Sequence, residues 1–161
     1  MTDETAAAPE PTQPPEQVNV PIQVVAHYVK DMSFENPNAM NLLRNGGPPP
    51  NDQINVTMNV RPLPEPDMFE VSLRINVKGG GEENPAFVIE LEYAGLFRVG
   101  AAPGPVIEQI LAVECPRMLF PYAAIIIANA TVNGGLPPLV LKPLDFASAY
   151  AAQRGTQPVG N

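Results

Sequence analysis

The sequence predicts an α+β fold: a four-stranded antiparallel sheet with one long, proline-interrupted helix and a short C-terminal helix packed on one face. Three observations lead to this prediction. Four segments between residues 18 and 94 alternate apolar and polar side chains, as half-buried strands do. From Pro105 onward the apolar spacing lengthens to that of a helix. Short connections separate the second, third and fourth segments, which favours antiparallel neighbours.

One folded domain accounts for most of the 161 residues, and we expect residues 18–154 to form it. Residues 1–17 are acidic and proline-rich with nothing large to bury, which predicts a disordered tail. Residues 155–161 are predicted to form a flexible tail. The first residues lack the basic-then-apolar pattern of a signal peptide, so we expect a cytoplasmic protein.

Each predicted strand has one apolar face. In the first strand this face holds Val18, Val20, Ile22, Val24, Ala26 and Tyr28. A loop containing Pro37 and residues 46–50 then crosses over to the second strand, where Ile54, Val56, Met58 and Val60 alternate with Asn55, Thr57 and Asn59. The third strand uses Phe69, Val71, Leu73, Ile75 and Val77. In the fourth, Phe87, Ile89, Leu91 and Tyr93 point inward, and Val88, Glu90 and Glu92 point outward.

The long helix is predicted to begin at Pro105, because proline is favoured in a first helical turn. Pro116 and Pro121 are expected to interrupt or kink it, since each lacks a backbone donor. The helix resumes over residues 122–132 and stops at the glycines of the segment NGG, residues 133–135. Asp145 is placed to cap the short last helix.

A stretch without any charge, residues 118–141, covers the second half of the long helix. Prolines, glycines and asparagines interrupt this stretch, so it does not resemble a membrane span of about 20 apolar residues. A helix that is apolar nearly all round must be covered on all sides, and the sheet covers one. We therefore predict an obligate homo-oligomer with helix-to-helix contacts at its centre, the alternative being a monomer that folds its own loops over the helix. The predicted interface residues are Tyr122, Ala123, Ile125, Ile126, Ile127 and Ala130.

Composition narrows the functional class. Acidic residues outnumber basic ones by 17 to 9, which argues against nucleic acid and anionic membranes and suits a basic partner or simply solubility. Cys115 is the single cysteine and His27 the single histidine, so a disulfide within the chain or a metal site of the His/Cys type is not expected. A Cys115–His27 dyad stays open from the sequence alone. With no clear catalytic constellation, we predict neither an enzyme nor a cofactor.

Three segments resemble the SecB family of protein-export chaperones: YVKDMSFENPNA (28–39), EYAGLFRVGA (92–101) and ECPRMLFPYAAIIIANATVNGGLPPLVLKPLDFASAY (114–150). The resemblance covers about residues 18–152. It implies a homotetramer, a dimer of dimers whose long helices lie between two outer sheets. It further implies an ATP-independent chaperone of the bacterial cytoplasm that holds unfolded secretory precursors and passes them to the SecA translocase ATPase.

The resemblance also implies two sites. A client-binding groove under the loop at residues 46–53 would use Phe34, Ile54, Val56, Met58, Leu136, Leu139, Leu141, Phe146 and Tyr150. A translocase-binding surface, for a basic, zinc-bearing tail of the ATPase, matches Asp31, Glu35, Val88 and Glu90; Glu92 is added because it shares the outward face. This chain departs from the family pattern in two places. It has no tryptophan, although some members carry an aromatic residue in the crossover loop, and its last helix is short and alanine-rich.

Two other functions remain open at this stage. A chaperone of the same family dedicated to a toxin–antitoxin pair would have the same fold and groove with a narrow range of clients. A purely structural oligomer would have no affinity for unfolded chains. The acids at Asp31, Glu35 and Glu90 favour the export function.

Overall fold

A computed structural model describes residues 19–47, 51–81 and 83–155. The predicted tail at residues 1–17 lies outside these ranges, and so does the predicted C-terminal tail except for Gly155, the last residue of a helix. Four strands form one antiparallel sheet: β1 (Ile22–Glu35), β2 (Gln53–Pro62), β3 (Met68–Gly79) and β4 (Phe87–Val99). Their order is β1-β4-β3-β2, which confirms the predicted four-stranded sheet and the meander from the second to the fourth strand.

The crossover between β1 and β2, predicted to be a loop, contains a short helix. Helix α1 spans Ala39–Arg44, a single short stretch with no side-chain cap. Six residues are too few for apolar periodicity to stand out, and the prolines on both sides suggested a loop. Leu42 packs against the core, and this tertiary contact stabilises a helix that its sequence alone would not.

The long helix runs without a break from Gly104 to Asn133, in three parts: α2 (Gly104–Gln109), a π-helical segment (Ile110–Glu114) and α3 (Cys115–Asn133). The predicted interruptions at Pro116 and Pro121 are therefore wrong. Pro116 is the second residue of α3 and directly follows the π-helical segment and Cys115. Its ring would crowd the carbonyl of Ala112, four residues earlier, and Ala112 lies in the π-helical segment, where the turn is wider.

The predicted end of the long helix and the predicted cap of the last helix are both confirmed. Helix α3 stops before Gly134, and Gly135 has a φ of 79°, a conformation that favours glycine. Helix α4 spans Phe146–Gly155. Asp145 caps it, because its Oδ1 accepts a hydrogen bond from the backbone N–H of Ser148 at 3.0 Å.

Two bulges in β1 change which face its side chains occupy. The register with β4 shifts between Val24 and Ala26 and again between Val29 and Asp31. Each shift adds one residue to β1 and reverses the alternation. Ile22 and Val24 consequently share the core face, whereas Ala26 and Tyr28 lie on the outer face. The prediction of a single apolar face from Ile22 to Tyr28 is wrong for this reason.

The core lies between one face of the sheet and the long helix. Its fully buried side chains include Val71, Leu73, Ile75, Ile89, Leu91 and Phe97 from the sheet and Leu119 and Ile127 from α3. Gly95 permits the close approach of helix and sheet, since a Cβ there would lie 2.8 Å from Leu119 Cδ2. By length and composition the helix Gly104–Asn133 would suffice to cross a membrane, and 44% of its most apolar window is buried in this core.

Candidate functional site

An open apolar groove runs between β2, the extended segment at residues 137–145 and α4, with a volume of about 870 Å³. It brings together seven of the nine predicted groove residues: Ile54, Val56, Met58, Leu139, Leu141, Phe146 and Tyr150. The groove also contains Ala112, Phe120, Val140 and Leu144, which the sequence analysis did not select. Val140 and Leu144 follow Leu139 in an apolar extended run, and this run was the available signal.

The groove has a rigid floor and an exposed apolar rim. Phe146 and Leu141 are buried. The rings of Phe146 and Phe120 pack edge to face with their centroids 6.1 Å apart, and this contact packs α4 against α3. On the rim, Val140 is 79% exposed and Ile54 45%. Apolar side chains this exposed are usual at surfaces that bind another molecule.

Strand β2 supplies one wall of the groove and lies at the edge of the sheet. It pairs with β3 through ten consecutive residue pairs, from Gln53 to Pro62, without a bulge. Within the described residues no strand pairs with its other side. A regular edge strand of this kind can accept a further extended chain through backbone hydrogen bonds.

Phe34 and Leu136 do not line this groove. Phe34, at the end of β1, packs against Phe87 with ring centroids 6.4 Å apart and against the backbone of Gly134, where a Cβ would lie 2.5 Å from its Cζ. The neighbouring Asn36 donates a hydrogen bond from Nδ2 to the Gly134 carbonyl at 3.0 Å. Leu136 is buried in the core. These two residues therefore pack around the C-terminal end of α3, away from the residues that line the groove.

The outer face of the sheet brings the predicted translocase-binding residues together. The register of β1 and β4 places Asp31 opposite Glu92, Ser33 opposite Glu90, and Glu35 opposite Val88. We call Asp31, Glu35, Val88 and Glu90 the acidic patch. Its three carboxylates belong to exposed residues.

Glu92 differs from the three acids of the acidic patch because its carboxylate is paired with neighbouring side chains. Arg74 Nη2 donates a hydrogen bond to it at 3.0 Å, Ser72 Oγ donates another at 3.2 Å, and Lys30 Nζ lies 3.7 Å away. The Arg74 hydrogen bond lowers the pKa of the Glu92 carboxyl, against the opposing effect of burial. Glu92 thus forms an ion pair with Arg74 at the border of the acidic patch.

A buried carboxylate with three hydrogen-bond donors also lies on the outer face, and the sequence did not predict it. Glu70, on β3, is only 4% exposed. It accepts hydrogen bonds from Lys30 Nζ at 2.6 Å, Tyr28 Oη at 2.9 Å and Arg61 Nη2 at 2.9 Å. These bonds, led by that of Lys30, lower its pKa to about 2. Lys30 is the extra residue of the second β1 bulge, so the cluster depends on a feature that simple alternation does not reveal.

The two groups considered for catalysis occupy different surroundings. Cys115 is fully buried, and burial, with a smaller effect of Glu114, raises the pKa of its thiol to about 12. The His27 ring meets Tyr122 at 4.5 Å and shares a hydrogen bond with the Tyr93 hydroxyl. In the part of the chain that the structure describes, no three His, Cys, Asp or Glu side chains are placed to hold a metal ion.

The predicted interface residues of α3 fall into two groups. Ala123, Ile127 and Ala130 are buried against the sheet of their own chain, so they are not available to a second copy. These three residues therefore belong to the core of a single chain, because the uncharged helix contributes one side to that core. Tyr122 and Ile125 are 49% and 58% exposed, and Ile126 is half-buried.

The exposed side of α3 forms a regular stripe, consisting of Met118, Tyr122, Ile125, Asn129 and Val132. Its members are spaced alternately by four and three residues, the spacing of helices that pack on one another. Beside this stripe, the edge strand β1 exposes four large apolar side chains, Val24, Val25, Val29 and Met32. The stripe and the edge strand together make a second apolar surface, separate from the groove.

Comparisons with known proteins agree on one family. The family model described as "Preprotein translocase subunit SecB" matches residues 15–157. The curated protein-export protein SecB of Caulobacter sp. (strain K31) is 42% identical over 154 residues, covering 96% of this chain and 93% of its own. That of Mesorhizobium japonicum is 46% identical over 129 residues, covering 80% and 77%.

Among solved structures, the fold is similar to the Rv1957 SecB-like chaperone of Mycobacterium tuberculosis, solved in complex with a ChAD peptide from the Rv1956 HigA1 antitoxin. The TM-score is 0.61 and the sequence identity 17%, over 77% of this chain and 88% of that one. At this identity the similarity concerns the fold.

Proposed function

Because the chain belongs to the SecB family of protein-export chaperones, we propose that it holds unfolded secretory precursors in the bacterial cytoplasm and delivers them to the SecA translocase ATPase. Holding needs no ATP, because it consists of reversible binding to an apolar surface. The single observation that carries this proposal is the open apolar groove beside β2, on whose outer edge no strand of the described residues pairs.

The groove suits a client that has no fixed structure. An unfolded chain offers apolar side chains in varied order together with unpaired backbone groups. Met58 is unbranched and polarisable, so it can accept client side chains of different shapes. Burying one client leucine or isoleucine contributes roughly 1.5–3 kcal/mol, so several such contacts give useful but reversible binding.

The edge of β2 adds a contact that does not depend on client sequence. An extended segment placed along β2 pairs its backbone with the strand while alternate side chains enter the groove. Ile54, Val56 and Met58 have this same alternation on the core face of β2. Backbone pairing thus supplies general affinity, and the apolar wall selects segments that a folded protein would bury.

For delivery, we propose that the acidic patch binds the basic, zinc-bearing tail of SecA. Asp31, Glu35 and Glu90 form a group of like charges on the exposed face, opposite to the core. A single exposed ion pair is worth at most about 1 kcal/mol, so this contact requires several of them at once. Repetition of the patch in an oligomer would add avidity.

We further propose a homotetramer, a dimer of dimers, in which the stripe on α3 and the apolar side of β1 are covered by other copies. Tyr122, Ile125 and Val132 are each about half exposed in a single chain. Leaving these side chains in water would forgo a substantial part of their burial energy and would create a surface prone to aggregation. A long edge strand such as β1 presents the same hazard until it is covered.

The export function is favoured over a dedicated toxin–antitoxin chaperone. The curated relatives named for protein export are 42% and 46% identical, whereas the SecB-like chaperone solved with an antitoxin peptide is 17% identical. A purely structural oligomer would not need the exposed groove. We therefore retain export as the proposed function.

A matched pair of variants tests the groove. Ile54→Asp places a charge on the groove wall, and Asn55→Asp places the same charge one residue along, on the opposite face of β2. We expect Ile54→Asp to weaken binding of a urea-unfolded precursor by roughly tenfold, the loss of one well-buried apolar contact. Asn55→Asp should leave binding within about twofold of the wild type. Fluorescence anisotropy of a labelled precursor, with and without ATP, measures both.

Equal binding by the two variants, with assembly intact, would contradict the groove assignment. A dependence of holding on ATP would contradict the proposed mechanism.

A further inference from the structure

Arg74 lies on the outer face of the sheet, beside the acidic patch. The strand register aligns Asp31 of β1, Glu92 of β4 and Arg74 of β3 in one row across three strands. Adjacent strands are about 4.8 Å apart, so the row from Asp31 to Arg74 spans about 10 Å at the backbone. Arg74 Nη2 is 3.0 Å from Glu92 Oε2, and the Arg74 side chain is 62% exposed.

The row would be unfavourable without a cation, because Asp31 and Glu92 are like charges directly opposite each other. Lys30 is near Glu92 at 3.7 Å, but its ammonium is bound to Glu70 at 2.6 Å. Arg74 therefore supplies most of the compensating charge. Glu92 raises the pKa of the Arg74 guanidinium through their hydrogen bond, and the charges of Asp31 and Glu90 act in the same direction.

We propose that Arg74 limits the affinity of the acidic patch for its basic partner. Its guanidinium occupies the border of the patch and repels an approaching cation. This inference rests on the proposed function, in which the acidic patch binds a basic segment of SecA. A delivery contact must dissociate after each transfer, and a built-in cation keeps the contact weak.

Arg98 offers a matched control. It lies on the same outer face, on β4 opposite Gln23, and it is exposed. It is six residues from Glu92 along the strand, about 20 Å, which exceeds the screening length of about 10 Å at 0.1 M salt. Arg98→Gln changes the net charge by the same amount as Arg74→Gln but leaves the field at the acidic patch unchanged.

The experiment measures binding of a synthetic, zinc-loaded peptide with the sequence of the basic SecA tail at 0.1 M salt, by fluorescence anisotropy. We expect Arg74→Gln to bind the peptide about threefold more tightly than the wild type, with the gain lost near 1 M salt. Arg74→Lys keeps the charge and should bind like the wild type. Arg98→Gln should also bind like the wild type. A damaged fold would weaken binding, so a gain in affinity separates this role from a structural one.

The inference is overturned if Arg74→Gln binds no more tightly than Arg98→Gln, or if Arg74→Lys gains as much as Arg74→Gln. Failure of the proposed site has a different signature. In that case the wild type would not bind the peptide, or Glu90→Lys would not weaken binding, and the inference would fall with the site.

Discussion

Single residues on the outer face decide how the sheet is held and what it can bind. Glu70 is buried among three donors from β1 and β2 and ties both edge strands to β3. Asp31, Glu35 and Glu90 remain exposed on the same face. Carboxylates of one face thus fall into two groups, which burial distinguishes. The charges that hold the sheet are paired, whereas those proposed for partner binding face water.

Glu70→Gln tests the structural role. Folding lowers the pKa of Glu70 from 4.5 to about 2, so the ionised carboxylate stabilises the folded chain at neutral pH. With partial screening at the exposed Lys30 and Arg61, we expect a loss on the order of 1–3 kcal/mol at pH 7. Urea unfolding at fixed protein concentration measures it. Glu90→Gln, an exposed acid on the neighbouring strand, should change stability by less than about 0.5 kcal/mol.

The pH dependence gives a second check on the same variant. The stabilisation from Glu70 is complete above about pH 5. It is lost as the pH falls from 4.5, the pKa of Glu70 in the unfolded chain, toward about 2, its pKa in the folded chain. The difference between wild type and Glu70→Gln should therefore shrink across this window. A constant difference from pH 7 to pH 3 would mean that ionisation of Glu70 is not the source of the stability.

At the scale of elements, the four strands and the two helix ends follow from the sequence, and several details do not. Alternation predicts β2, β3 and β4 because they keep a regular register. The pattern fails in β1, where two bulges reverse the faces, and a bulge has no signature in alternation alone. It also fails at Pro116 and Pro121. A π-helical segment precedes the first and gives its ring room, and the second is an exposed residue inside α3 between the buried Phe120 and Ala123.

The groove was predictable in part for a similar reason. Side chains of β2 and of the segment at residues 139–150 are apolar at positions where the resemblance places a groove, and the structure brings them together. The resemblance to the family also places Phe34 and Leu136 in the groove. Only the fold shows that Phe34 packs against the backbone of Gly134, at the end of α3, instead.

The stripe on α3 gives a prediction at the same scale. Ile125 is 58% exposed at the centre of the stripe, whereas Ile126 is half-buried, so Ile125 is the better position to test. Ile125→Asp would bury a carboxylate against another copy at a cost of several kcal/mol. We expect sedimentation velocity to report a smaller assembly than that of the wild type. Ala151→Asp, an exposed position on α4, should leave the assembly unchanged.

If Ile125→Asp has the same sedimentation coefficient as the wild type at equal concentration, the stripe has no central role in assembly. A monomeric wild type would contradict the tetramer altogether.

In the whole molecule, three surfaces are distributed so that they do not compete. The outer face of the sheet carries the acidic patch, the edge of β2 and α4 frame the groove, and the exposed side of α3 with β1 forms the proposed interface between copies. A client in the groove would leave the acidic patch uncovered. If the proposed sites are right, this separation would let the protein hold a precursor and contact a basic partner at the same time.

The most direct test of the central claim is an isotope-edited NMR titration of the methyl-labelled protein with an unfolded precursor. We expect the methyl signals of Ile54, Met58, Val140 and Leu144 to shift or broaden, since these side chains form the rim and wall of the groove. Signals of Met118 and Val132, on the stripe, should stay in place. Unchanged groove signals in the presence of saturating precursor, or shifts confined to the stripe or the outer face, would contradict the account.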